Sequence, residues 1–123
     1  MLILLEDISI GVVAVLHIAF LILEMFLWNK PIGRKIFSLK KEFAEQTTTL
    51  ASNQGLYNGF LAAGLIWSFF ASNFATELRL FFLSCIIIAG VFGAITANRT
   101  ILWVQGLPAI LALTLVVMNS SLI

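Results

Sequence analysis

Four apolar stretches, at residues 8–28, 50–71, 78–97 and 101–119, take up most of this chain. Each is near the roughly 20 residues that an α-helix needs to cross a hydrocarbon core of about 30 Å. Hydrocarbon offers a backbone N–H or C=O no hydrogen-bond partner, so stretches of this length and apolarity fold there as helices. The pattern predicts an all-α protein, a polytopic membrane four-helix bundle that forms a single transmembrane domain over residues 1–123, with a basic loop at 29–49. Composition points the same way. Hydrophobic residues make up 61% and charged residues 11%, and the mean hydropathy is +1.08, far outside the balance of an ordinary soluble domain. A net charge of +1 supplies no basic surface for nucleic acid; membrane lipid is the expected surrounding.

The first stretch is expected to stay in the protein. Glu6 and Asp7 precede it where a signal peptide carries positive charge, and no small-residue cleavage site follows. Orientation follows from the basic residues. Lys30, Arg34, Lys35, Lys40 and Lys41 lie between the first two stretches, Arg99 lies between the last two, and Arg79 stands alone near the opposite side. The bias of Lys and Arg toward cytoplasmic loops places both termini outside, with the long loop inside and Trp28 and Trp103 at the cytoplasmic interface.

Within the loop, Pro31 and Gly33 mark a turn. Ile36, Leu39 and Phe43 then recur at helical spacing while the lysines fall on other azimuths, the pattern of a basic interfacial helix with Ser38 as its N-cap. No breaker occurs over 42–50, which predicts a helix running from about residue 39 into the second stretch. The plainer alternative is a solvated positive-inside loop without lipid specificity.

Polar residues inside the spans carry the functional information. An ionisable group in hydrocarbon costs several kcal/mol unless it faces protein or water. His17 and Glu24 share the first stretch, differ by only about 20° in azimuth and lie roughly 10 Å apart, with Trp28 continuing the line. Asn53, Gln54, Tyr57 and Asn58 crowd the cytoplasmic end of the second stretch, Thr96 ends the third and Gln105 begins the fourth. This shared depth suggests a pocket open to the cytoplasm with His17 at its floor. Each amide has a structural alternative as interhelical hydrogen-bond glue, and Tyr57 one as an interface aromatic. For Glu24 function outweighs structure.

Gly55, Gly59 and Ala63 on the second stretch, and Ala89, Gly93 and Ala97 with Gly90 on the third, allow close helix approach. Two such faces on four short spans make a homo-oligomer the expectation. Pro108 should kink the fourth helix near Gln105. Cys85, the single cysteine, reads as a small buried hydrophobe.

The runs HIAFLILEMFLW (17–28), NQGLYNGFLAAG (53–64), AGVFGAIT (89–96) and QGLPA (105–109) resemble, in order and spacing, the small bacterial four-helix membrane proteins of domain-of-unknown-function family 1304. The resemblance covers nearly the whole chain. It implies the four-span fold and residence in a bacterial inner membrane, and it adds weight to His17, Glu24, Asn53, Gln54, Tyr57 and Asn58 without assigning their roles. A fainter likeness in loop placement and topology runs to the membrane-associated proteins of eicosanoid and glutathione metabolism. Their second helix carries an arginine, an asparagine and a glutamate, whereas the matching stretch here offers uncharged Asn53, Gln54 and Asn58, so that likeness is one of architecture alone.

No GxSxG, HExxH or phosphate-binding glycine loop occurs, and one His with one Glu supplies too few ligands for a metal site. The sequence names no cofactor and leaves open whether the chain is an enzyme. One reading is a pocket for a small lipophilic or amphipathic molecule, possible catalysis included, with Glu24 as proton acceptor or cation partner. A second is a small proton-coupled transporter or channel using Glu24 and His17; a third is a structural or accessory membrane subunit. The outer half offers little polar lining beyond Ser68, Ser84 and Thr114, which favours the pocket. For topology, reporter fusions at the C-terminus and at residue 35 should show an external C-terminus and a cytoplasmic loop; a cytoplasmic C-terminus would overturn the assignment.

Overall fold

The structure is a computed structural model and describes residues 1–121. Six α-helices follow in order: α1 (Leu2–Met25), α2 (Pro31–Phe37), α3 (Lys41–Gln46), α4 (Thr48–Ser68), α5 (Ala75–Thr96) and α6 (Leu107–Ser120), with a π-helical stretch, Leu102–Gly106, leading into α6. No strand occurs among the described residues. Three helical segments, Leu2–Met25, Ala75–Thr96 and Leu102–Ser120, are long and apolar enough to cross a membrane, and the chain is a helical membrane protein. Helix α4 matches them in length but carries Thr48, Thr49, Ser52, Asn53, Gln54 and Asn58 in its first half.

The chain divides into two compact units, one made of residues 1–16 with the chain from residue 61 onward, the other of residues 17–60. Helices α1 and α4 contribute residues to both.

In the first unit the core is Ile10, Val13 and Ala14 of α1, Leu65 of α4, Leu83 and Ile86 of α5, and Ala109, Ala112 and Val116 of α6. Steps of three and four residues put each helix's members on one face. At one end, Arg79 near the start of α5 bonds Glu6 of α1 and Ser68 at the end of α4, and Asn119 near the end of α6 bonds Glu6. Starts of α1 and α5 thus meet ends of α4 and α6, so successive long helices run in opposite directions.

Pro108 has no N–H to give the Val104 carbonyl. The backbone before it widens, and the Leu107 N–H reaches back five residues to the Leu102 carbonyl. The expected kink thus takes the form of a π-helical stretch. It presents Gly106 to Gly90 so closely that a Cβ on Gly90 would lie 3.1 Å from the Gly106 Cα. The buried face of α5 is Leu83, Ile86 and Gly90, with Gly93 against Ile101. Ala89 and Ala97, expected on the contact face, are exposed, because the face is set by a seven-residue step from Leu83 to Gly90.

In the second unit α1 ends at Met25, one residue beyond Glu24, and the chain turns. Glu24 therefore lies in the last turn of its helix, and Trp28 belongs to the turn that follows and does not extend the helical stripe. Its indole packs on Phe37 with ring centroids 5.0 Å apart and donates to the Thr47 hydroxyl at 3.0 Å. Helix α2 starts with Pro31 in its first turn, where the missing N–H costs nothing. Buried Gly33 fits under the Leu27 carbonyl, which a Cβ would overlap.

Ser38 ends α2 and does not cap the next helix. It adopts a left-handed conformation at φ 54°, and the Leu39 N–H donates to the Arg34 carbonyl at 2.8 Å, closing the helix end. Helix α3 and helix α4 are nearly continuous, as the absence of a breaker predicts, but separate at Thr47 (φ −108°, ψ 8°). The Thr47 and Thr48 hydroxyls donate to the Phe43 and Ala44 carbonyls at 2.7 and 2.8 Å, a bonding mode that bends helices.

On α4 the buried positions are Ala51, Gly55, Asn58, Ala62, Gly64, Leu65 and Ser68. Gly55 packs on Met25, Glu24 and Leu21, and Gly59 on Leu21; Ala63, the expected third member of this face, is exposed, with Ala62 buried instead. The glycines of both close-packing faces are thus used inside the chain, while Ala63, Ala89 and Ala97 stay exposed. Gly90→Ala should destabilise the protein by about 1–3 kcal/mol, because its neighbour is backbone that cannot rotate away. Gly11→Ala, where no atom lies within 4 Å of the added Cβ, should be neutral or stabilising. Detergent-denaturation midpoints compare the two, and equal losses would contradict the packing.

Candidate functional site

The site is built on the inward face of α1. Glu6, Ile10, Val13, His17 and Glu24 are all buried, and their spacing of three, four and seven residues keeps them on one stripe. The ionisable side chains in the apolar body of α1, His17 and Glu24, therefore point away from lipid, as the cost of burying charge requires. His17 is fully buried and meets the Phe20 ring edge-on, with centroids 5.7 Å apart.

Glu24 is held by α4. Asn58 Nδ2 donates to Glu24 Oε1 at 3.1 Å, and both residues are more than nine-tenths buried. The contact exists because Gly55, one turn before Asn58, lets α4 lie against the Glu24 Cβ and the Leu21 carbonyl. Glu24 Oε2 is also buried, and among the described residues it has no hydrogen-bond partner. An ionised carboxylate is an acceptor at both oxygens, so one buried acceptor remains to be met by a proton, a cation or a donor.

The other sequence candidates are placed differently. Asn53, Gln54 and Tyr57 are exposed; Tyr57 is next to Phe60, with ring centroids 6.2 Å apart. Gln54 precedes Asn58 by one turn, but the face of α4 that packs on α1 passes through Gly55 and Asn58 and leaves Gln54 on its flank. Gln105 is half-buried on the π-helical stretch of the first unit. The structure thus brings Glu24 and Asn58 into direct contact, with His17 two turns away on the same helix face. No group of three or more potential metal ligands occurs among the described residues.

A second polar cluster was not anticipated. Arg79 reaches Glu6 at 2.5 Å, Asp7 at 2.8 Å and the Ser68 hydroxyl at 3.3 Å, and stacks over Phe69 at 5.2 Å. Asn119 donates to the other Glu6 oxygen. Here both Glu6 oxygens are hydrogen-bonded and Asp7 is ion-paired to Arg79, and the cluster fastens four helix ends; removing one partner of such a buried pair typically costs about 3–5 kcal/mol. In the sequence Glu6 and Asp7 precede the first apolar stretch and Arg79 stands alone on its side, so none of the three announces a pairing by itself. The usable signal was opposite charge at matching ends of two apolar stretches, and the pairing explains why α1 runs on through Glu6 and Asp7 to Leu2.

For the Glu24–Asn58 bond, Asn58→Ala should cost about 1–2 kcal/mol of stability. The paired change Glu24→Met with Asn58→Leu should recover most of that loss, since it removes donor and acceptor together. A double-mutant cycle in mixed detergent micelles measures the coupling; strict additivity would show that the two side chains do not interact.

With this geometry in view, comparison with known proteins places the chain. A family model described as a protein of unknown function, DUF1304, matches residues 11–117, a span that includes His17, Glu24, Asn58 and Gln105. An uncharacterized protein, YpaA, of Lactococcus lactis subsp. lactis (strain IL1403) is 38% identical over 93 residues, covering 74% of this chain and 78% of its own length. No solved structure matches.

Proposed function

We propose that this chain, which belongs to the DUF1304 family, binds a small lipophilic or amphipathic molecule through Glu24 in the membrane. The observation that carries the reading is the buried Glu24 Oε2, without a hydrogen-bond partner among the described residues, beside an Oε1 already held by Asn58. An acceptor oriented by one bond, in apolar surroundings, selects a ligand with a hydrogen-bond donor or positive charge next to an apolar body. Asn58 fixes the carboxylate, and His17 is the deeper hydrogen-bonding or proton-handling group on the same stripe. Asn53, Gln54 and Tyr57 are outer members of the site in this reading, exposed and available to a ligand's polar atoms nearer the surface, whereas Gln105 belongs to the other unit and has no part in it. The protein resides in the bacterial inner membrane as a multi-pass protein with both termini outside, a placement supported by the basic loop and the bacterial relative.

The shared stripe of His17 and Glu24 favours one competitor, proton-coupled passage across the membrane. Dodecylamine separates the two when added to the purified full chain in neutral detergent, with dodecyl sulfate as the anionic control. The binding reading predicts that the amine stabilises the wild type and the sulfate does not. It predicts that Glu24→Gln folds but weakens amine binding about thirtyfold or more, the usual loss when a buried charged partner is removed. Proton-coupled flux in reconstituted vesicles that disappears in Glu24→Gln would replace this reading with the transporter. Silence in both assays would leave an accessory subunit.

A further inference from the structure

The loop between α1 and α4 is folded, and its charges are unevenly used. Arg34 is turned inward, its guanidinium within 3.3 Å of the Asn29 carbonyl and 3.4 Å of the Asn29 side-chain oxygen. Lys41 pairs with Glu45 at 3.9 Å. Lys30, Lys35 and Lys40 are exposed, and no ion pair or hydrogen bond of their side chains occurs among the described residues. Beside them Ile32, Ile36 and Phe43 are 54%, 54% and 52% exposed.

On α2 these features are sorted by azimuth. Gly33 and Phe37 face the protein; Ile32 and Ile36, one turn apart, share a flank, and Lys35 projects about 200° from Gly33. We propose that residues 30–43 form a contact surface for anionic phospholipid, with Lys30, Lys35 and Lys40 on the phosphate headgroups and Ile32, Ile36 and Phe43 in the layer beneath. Two observations select a lipid over an acidic protein. The charge is complementary to an anionic leaflet and is interleaved with apolar side chains that a headgroup boundary covers and water does not. The segment also cannot leave that boundary, because α2 begins six residues after α1 ends and α3 joins α4 across Thr47 alone. The Gly33 fit under Leu27 and the Trp28–Phe37 stack hold the surface ready-made, which limits the ordering cost of contact.

Trp28 provides the reporter. The full chain carrying Trp67→Phe and Trp103→Phe is reconstituted with brominated phosphatidylglycerol or brominated phosphatidylcholine, and quenching of Trp28 gives their relative affinity. Phosphatidylglycerol should be preferred several-fold, less so as salt rises, and each of Lys30→Gln, Lys35→Gln and Lys40→Gln should reduce the preference by up to about fivefold. Glu42→Gln with Glu45→Gln should raise it. These side chains are exposed, so circular dichroism should match the parent throughout. Equal quenching by the two lipids in the parent, or a preference unchanged by all three lysine substitutions, would overturn the proposal. Binding of polyglutamate through the same lysines without lipid preference would overturn it in favour of an acidic protein partner.

Discussion

The structure depends on one constraint: in a chain this apolar, an ionisable side chain in the body of a long helix must find protein. Helix α1 shows how it is met. Glu6, His17 and Glu24 share the stripe that also carries Ile10 and Val13, and all five are buried. Once that stripe is fixed, partners follow. Arg79 and Asn119 go to Glu6, and Asn58 goes to Glu24. The two carboxylates then differ. Glu6 has both oxygens engaged, whereas Glu24 has one. One carboxylate is thus fully met, and the other keeps an oxygen without a hydrogen-bond partner among the described residues.

Glycine makes these polar contacts reachable. Gly55 and Gly59 let α4 approach α1 at the level of Glu24, and Gly90 accepts the Gly106 backbone where Pro108 has forced the π-helical stretch. Between apolar helices in lipid, close packing of this kind takes the place of the hydrophobic effect that drives soluble cores together. The polar bonds add direction to that packing.

Much of this was legible in the sequence. Hydropathy located the long helices to within several residues, and the shared depth of Glu24 and Asn58 was visible from spacing alone. Azimuth on α4 was not. Gln54 and Asn58 differ by one turn, and only the contact through Gly55 decides that Asn58 faces Glu24 while Gln54 stays exposed. The same one-residue offset put Ala62 where Ala63 was expected. That α1 extends back through Glu6 and Asp7 to Leu2 was not legible, because their partner, Arg79, is far along the chain. Trp28 was read as a continuation of the stripe because nothing local announces that α1 ends at Met25; its partners, Phe37 and Thr47, come from the folded loop.

The central claim is that Glu24 turns inward to Asn58. Solid-state NMR of the full chain in lipid bilayers, with the Glu24 carboxyl carbon and the Asn58 side-chain nitrogen isotopically labelled, measures that contact directly. The 3.1 Å hydrogen bond predicts a strong dipolar coupling between the two labels. Absence of coupling, with magnetisation transferred from lipid acyl protons to the Glu24 carboxyl, would place the carboxylate in lipid and contradict the account.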